Sequence, residues 1–323
     1  MSSENVGQHF VNIMNKELAE LIKKSRTISW ENFGKNIIFY HPGMFWYNGE
    51  WGNYPAISIT GSHCELLCDH CKGKILESMI SVSDSADLVE KCVNLEKKGN
   101  TGCLISGGSL QDGSLPWDEF VQGLETVKEK TNLFISIHCG ILDYTTAKKL
   151  KKADVDQVLI DVIGDDDTLR NVYHCNFGIE KIKQSLDALN KANVSFIPHV
   201  VVGLDHGKIK GEYNAIDMIK KYNPEVLTIV SLMALKGTPM EHVALPNPND
   251  IARILSTARI KMPDIPLSLG CARDKSNPKI DVLAVDAGVN RMALPSDEAI
   301  ERAKEFGLNI MWQKTCCSLP IKK

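Results

Sequence analysis

Short apolar runs recur along the chain, and each is followed by a stretch whose apolar residues return every three or four positions. The runs lie at 56–60, 102–106, 133–139, 157–162, 196–203, 226–232, 267–271 and 289–294. They are rich in Val, Ile and Leu, with little alternation, the pattern of strands covered on both faces. The amphipathic stretches predict helices over 85–98, 117–130, 145–152, 179–193, 212–222, 249–261, 279–288 and 296–306. Capping residues open several of them (Ser83 or Asp84, Thr145, Ser296), and Gly99 and Gly307 close two. Eight strand–helix alternations predict an α/β fold, a (β/α)8 TIM-type barrel, although periodicity alone also permits an open doubly wound sheet. In a barrel the chemistry gathers where strands end and loops begin.

Residues 1–54 precede the repeat and read as an N-terminal extension, with a helix over 10–24 and an aromatic- and Gly-rich stretch over 39–51. The barrel is expected over 55–307, followed by a tail over 308–323 that carries a cysteine pair.

Charge narrows the function classes. The formal net charge is -3, with a pI of about 6.3 and no long basic run, which argues against a nucleic-acid or membrane-surface partner. No apolar stretch is long enough to cross a bilayer, and Glu4, His9 and Asn12 interrupt any signal-peptide core. The expected location is the cytoplasm. There the ten cysteines read as reduced thiols rather than disulfides. Cys92 and Cys103, inside apolar patterns, read as buried packing residues.

Three thiols stand in one short loop after the first strand: Gly61-Ser62-His63-Cys64-Glu65-Leu66-Leu67-Cys68-Asp69-His70-Cys71. A structural zinc site would want four ligands, and no fourth stands at a matching spacing. An iron–sulfur cubane normally takes four cysteines, so three leave one iron open to another molecule. Cys64, Cys68 and Cys71 are therefore the candidate metal ligands and catalytic centre.

This Cys-x3-Cys-x2-Cys loop, with His70 in an aromatic-type position before the last cysteine, resembles the radical S-adenosylmethionine (SAM) superfamily. The resemblance implies a [4Fe–4S] cluster that binds SAM, and a low-potential electron donor such as ferredoxin or flavodoxin. It extends over most of the barrel. Ser106-Gly107-Gly108-Ser109 follows the second strand, where the family's Gly-Gly-Glu segment holds the methionine amino group; here Ser109 replaces the Glu. His138 closes the third strand and joins the candidate cofactor-binding residues. Asp161 ends the fourth strand, and the family likeness gives it the SAM ribose hydroxyls; a solvated strand-end residue is the alternative. The fifth strand carries His199 and Gly203 where the family has Gly-x-Ile-x-Gly packing on adenine, and His199 either faces the pocket or is a core residue. After the sixth strand come Met233 and a Gly237-Thr238-Pro239-Met240 turn similar to that of biotin and lipoyl synthases.

The seventh strand runs into Gly270-Cys271-Ala272-Arg273, and the tail contains Cys316-Cys317-Ser318-Leu319. Cys271, Cys316 and Cys317 are candidates for an auxiliary iron–sulfur cluster, with Cys139 as a fourth candidate. Incidental terminal cysteines are the alternative. Arg273 is a candidate fork for a carboxylate of substrate or SAM.

Within the superfamily the pattern is similar to the biotin synthase/lipoyl synthase branch, and most similar to subunits of two-protein lipoyl synthases. That implies sulfur insertion into an octanoyl group on a lipoyl carrier domain or protein, with a second radical SAM subunit as partner. The N-terminal three-cysteine motif of single-chain lipoyl synthases is missing, so a second cluster would be held differently. The alternatives are a biotin synthase-like or hydrogenase maturase-like enzyme of cofactor assembly, and a non-catalytic iron–sulfur or zinc protein.

Overall fold

The computed structural model describes residues 3–319 apart from Met44 and Asn48, with side chains described from residue 16 onward. Residues 1–2 and 320–323, which belong to the terminal segments distinguished above, lie outside the described residues. Eleven strands form one sheet: β1 (Asn36–Tyr40), β4 (Ala56–Ser58), β5 (Ile80–Ser81), β6 (Gly102–Ser106), β7 (Phe134–His138), β8 (Gln157–Asp161), β9 (Phe196–Val202), β10 (Leu227–Ser231), β11 (Leu267–Leu269), β12 (Arg291–Ala293) and β13 (Asn309–Gln313). A small hairpin, β2 (Trp46–Tyr47) and β3 (Glu50–Trp51), stands apart. The helices are α1 (Ser3–Phe33), α2 (Ser85–Lys97), α3 (Trp117–Lys130), α4 (Tyr144–Lys152), α5 (Asp166–Asn171), α6 (Ile179–Lys191), α7 (Glu212–Ile219), α8 (Pro248–Lys261), α9 (Lys279–Asp286) and α10 (Asp297–Glu305).

The sheet order is β13-β1-β12-β11-β10-β9-β8-β7-β6-β4-β5, and every pairing in it is parallel. The eight expected strands and their eight helices are all present, in a curled α/β barrel of the TIM type. Two further strands, β1 and β13, extend the sheet beyond β12. β5 and β13 do not pair with each other, but the segment feeding β4 spans the gap. Asn53 N donates to Lys314 O (2.9 Å), Thr101 N to Asn53 O (3.1 Å) and Gly43 N to Tyr54 O (3.2 Å).

Capping follows the expected chemistry with one shift. Asp84 caps α2 through the amides of Ala86 and Asp87, and Ser296 caps α10 through Ala299. Asp143, not Thr145, caps α4: the helix begins at Tyr144, which puts Thr145 already inside the first turn.

Arg273 does structural work after β11. Its side chain is fully buried and bidentate to Asp281 on α9, with Nε–Oδ1 at 2.6 Å and Nη2–Oδ2 at 2.8 Å. It also donates to the carbonyls of Gly270, Ala293 and Leu294. Asp281 in turn accepts from Ser296 N at 3.0 Å. A buried guanidinium is tolerable only when paired in this way. The expectation of a free carboxylate fork is thus corrected: the fork is filled by Asp281, and it staples the ends of β11 and β12 to α9 and α10. Arg273→Ala would leave Asp281 buried and unpaired. We expect a loss of about 3–5 kcal/mol in a urea unfolding titration of metal-free protein, against less than about 1 kcal/mol for a control such as Lys304→Ala at an exposed ion pair.

Candidate active site

The three-cysteine loop leaves the C-terminal end of β4 and is clamped from two sides. On the β6 side, Glu65 N donates to Ser109 O (2.8 Å), and Gln111 returns two bonds to Glu65 at 2.9 Å each. On the α5 side, Asp69 N donates to Val172 O (2.9 Å), while the Asp69 carboxylate meets His174 Nε2 at 2.9 Å. Inside the loop, Cys71 N bonds Cys68 O and Lys74 N bonds Cys71 O, a tight winding that turns the thiols to one side.

Gly108 is the contact that makes the clamp possible. Its amide donates to Thr60 Oγ1 (2.7 Å), and a Cβ there would lie 2.0 Å from His63 O and 2.5 Å from Cys64 Cβ. Only glycine lets the β6 loop approach this closely.

Cys64, Cys68 and Cys71 line one cavity of about 280 Å³ together with His70, Ser106, Gly107, Gly108, Ser109, His138 and Asp161. The structure thus brings together most of the residues singled out after the first four barrel strands. Leu66, Ile75, Leu76 and Met79 give the cavity an apolar side. A neighbouring cavity of about 110 Å³ shares Ser106, His138, Asp161 and Tyr173 and continues into Ile141, Leu169 and Phe177. Gly203 and Met233 line neither cavity. The Gly203 amide instead donates to the buried Glu212 carboxylate at 2.7 Å, which also accepts from Lys210 N. The Gly237 turn after β10 reaches the rim, close enough that a Cβ there would lie 2.8 Å from Lys74 Nζ.

The thiols fit a cluster better than a single ion. Tetrahedral zinc draws its thiolate sulfurs to roughly 3.8 Å from one another. Among the described residues, neither cysteine trio meets a spacing of 4.8 Å between ligand atoms, whereas His138, Asp161 and His199 do. A cubane places each thiolate on a different iron, so its ligands stand farther apart. Burial pushes the Cys68 and Cys71 thiols up, and their mutual repulsion as thiolates adds to it for Cys68. The protein alone therefore does not stabilise the thiolates, and a bound metal centre would. His70 Nδ1 is buried without a hydrogen-bond partner, another polar atom left for a bound group. Burial also lowers the His70 pKa, so the ring is neutral.

Beyond the thiols lie three polar residues on adjacent strands, His138 and Asp161 at the ends of β7 and β8 and His199 in β9. Asp161 is paired in register with His199, and its Oδ1 lies 3.4 Å from His138 Nε2. Burial favours the neutral carboxyl, but His138, His199 and His70 outweigh it and hold Asp161 at about 2. Burial opposes charge on His138, and Asp161 reverses that and raises it. His199 is lowered to about 4, first by burial and then by His138. His199 thus stands beside Asp161 and His138, although it lines neither cavity itself.

The C-terminal thiols are also brought together. Cys271, Cys316 and Cys317 pack with Ile38, Tyr40 and Ala293. Arg291 on β12 donates to the carbonyls of Cys317, Ser318 and Leu319 at 3.5, 3.3 and 2.9 Å, and Tyr40 Oη donates to Leu319 O at 3.1 Å. Burial raises Cys271 to about 11. Cys316 is held below the ordinary thiol range by the Cys317 thiol beside it, and Cys317 is pushed well above it. The side chains of Ser318 and Ser268 act on Cys316 and Cys317 and help lower the pKa of each. Cys139 is not part of this group: it is fully buried in the main core, its carbonyl bonded by Trp117 Nε1 at 2.9 Å. The sequence reading missed Arg291 and Tyr40, because nothing in an Arg or Tyr at a strand end announces a contact with a segment 26 or more residues away.

No protein-family model matches the chain. The chain is 22% identical over 284 residues to the biotin synthase of Flavobacterium johnsoniae, covering 86% of this chain and 74% of that protein. It is 25% identical over 211 residues to the biotin synthase of Clostridioides difficile, covering 65% and 64% of the two chains. Among solved structures, methylornithine synthase (PylB) aligns with a TM-score of 0.64 at 15% identity, over 91% of this chain and 89% of that one. The hydrogenase maturase HydG from Carboxydothermus hydrogenoformans aligns with a TM-score of 0.63 at 15% identity, over 90% and 71%. Among the described residues no helix is long and apolar enough to cross a membrane. The fold is that of methylornithine synthase and the hydrogenase maturase HydG, and the sequence is similar to those of biotin synthases.

The tail geometry generates one direct test. In metal-free, reduced protein, Arg291→Met removes the donor that holds three successive carbonyls. Alkylation of Cys316 and Cys317, followed by peptide mass spectrometry, should quicken at least about tenfold, an opening about 1.4 kcal/mol easier. The fully buried Cys92 and Cys103 should label no faster than in the unaltered chain.

Proposed function

We propose that the chain is a radical SAM sulfur-insertion enzyme acting on a protein-bound octanoyl group, as one subunit of a two-protein lipoyl synthase. The observation that carries this reading is the presence of two separate cysteine trios. Cys64, Cys68 and Cys71 line the cavity after β4, while Cys271, Cys316 and Cys317 gather where the tail meets β11 and β12. Sulfur insertion needs one centre to activate carbon and another to give up sulfur, and the spare thiols suit the second.

Cys64, Cys68 and Cys71 would hold the first cluster; with SAM bound there, it supplies a 5′-deoxyadenosyl radical able to take hydrogen from an unactivated carbon. The chain's own part is to bind, orient and exclude water. Gly107, Gly108 and Ser109 offer backbone at close range to the thiols, the place for the methionine end of SAM. Tyr173 packs its ring 5.1 Å from His70 and closes the cavity on the α5 side. Leu66, Ile75, Leu76 and Met79 offer an alkyl chain an apolar wall and no competing hydrogen-bond partner. Cys271, Cys316 and Cys317 would hold the auxiliary cluster, with the tail fixed by Arg291 and Tyr40. A second radical SAM subunit would share the two insertions, and ferredoxin or flavodoxin would supply electrons.

The similarity to biotin synthases favours a second reading, sulfur insertion into a free small molecule of the dethiobiotin class. One experiment separates the two. After anaerobic reconstitution the chain should carry about eight irons, and Cys64→Ala about four. With SAM and a strong reductant, the unaltered chain should form 5′-deoxyadenosine, and Cys64→Ala should form none. With the candidate partner subunit present, an octanoyl-lysyl peptide should gain sulfur by mass spectrometry. Sulfur gained by dethiobiotin and never by the peptide would select the second reading, and no 5′-deoxyadenosine at all would remove both.

A further inference from the structure

His138 and Asp161 end β7 and β8, His199 stands mid-strand on the neighbouring β9, and their ligand atoms all lie within 4.8 Å of one another. We propose that these three residues form a mononuclear site for a divalent transition metal at the cavity wall, separate from both cysteine centres. Two imidazoles and one carboxylate are a donor set for zinc or ferrous iron, and three protein ligands leave coordination positions open to a substrate or water oxygen.

Three features of the arrangement favour a metal over a simple hydrogen-bonded cluster. First, His138 Nε2 and Asp161 Oδ1 stand 3.4 Å apart, longer than the usual range for an N–H···O bond and close to the roughly 3.3 Å between two ligands of one tetrahedral zinc. Second, His199 Nδ1 faces the Ile197 carbonyl at 3.2 Å, so that nitrogen carries the proton and Nε2 keeps its lone pair. A ligating histidine is commonly oriented in this way, by a backbone carbonyl on its other nitrogen. Third, the side chains come from strands locked in parallel register, Asp161 directly beside His199, so the trio is held by the sheet rather than by a loop. The open side is the cavity that His138 and Asp161 line. A metal there would be a Lewis-acid anchor for an oxygen donor such as a carbonyl or carboxylate.

The site does not rest on the lipoyl reading, and its test leaves cluster chemistry aside. Cluster-reconstituted protein would be incubated with zinc, desalted, and examined by metal analysis and zinc X-ray absorption. The expected result is about one retained zinc per chain with only nitrogen and oxygen neighbours, including imidazole. Asp161→Asn and His199→Gln should each lose that zinc and keep the iron content and visible absorption of the unaltered protein. Zinc surrounded by sulfur would place it on the cysteines and overturn the proposal. So would retention by both variants, or no zinc retained by the unaltered chain. A failure to form 5′-deoxyadenosine would count against the radical SAM reading and would leave the zinc result standing.

Discussion

Parallel pairing fixes where everything else in this protein can be. When every strand of a sheet runs the same way, all C-terminal ends share one rim, and the loops that leave them must face each other. The chain puts its unusual residues almost entirely at those ends: the thiol loop after β4, Gly107 and Gly108 after β6, His138 on β7, Asp161 on β8 and Cys271 after β11. Residues up to 253 positions apart, such as Cys64 and Cys317, thereby come to serve one end of one barrel. No single motif achieves this; the register of β4 through β12 does.

The rim is not uniform, and its two cysteine groups are built by different means. The first is local. Eight consecutive residues carry all three thiols, and the neighbouring loops need only clamp the segment, with Gly108 removing the Cβ that would stand in the way. The second is assembled from distant pieces. Cys271 is placed directly after β11, but Cys316 and Cys317 follow the end of β13 in a stretch that, among the described residues, has no helix or strand, so its backbone carbonyls need donors. Arg291 and Tyr40 supply them. The two arginines near this end illustrate the division: Arg273 spends its charge on Asp281 to fix the scaffold, and Arg291 spends its hydrogen bonds on the tail.

Much of this was legible in the sequence because buried parallel strands leave a strong trace. Runs such as Val158–Ile160 and Val200–Val202 are wholly apolar, and the helices between the strands keep a clear period. The thiol loop is equally legible, since metal ligation imposes short fixed spacings. What was not legible came from weak or non-local signals. β13 is an edge strand with no fully buried residue and an exposed Trp312, so its pattern is that of a loop. β1 carries the apolar run Ile37–Tyr40, but as a single strand before the repeat it had no partner in the pattern. The role of Arg273 was misread because sequence shows a guanidinium and its position, not the Asp281 carboxylate that already fills it.

The remaining asymmetry lies in electrostatics. In the absence of a bound group, the cavity after β4 raises the pKa of its buried thiols, while a few residues away it keeps Asp161 fully ionised. The same burial acts on both, and the difference is the company: cysteines repel each other as thiolates, whereas Asp161 has histidines on three sides. A cavity with this division favours neutral sulfur and charged oxygen until cations arrive. Iron would invert the first half by taking up the thiolates, and the imidazoles already satisfy the second half. The two groups of the wall thus differ in what they lack: the thiols need a cation before they ionise, and Asp161 already has its partners.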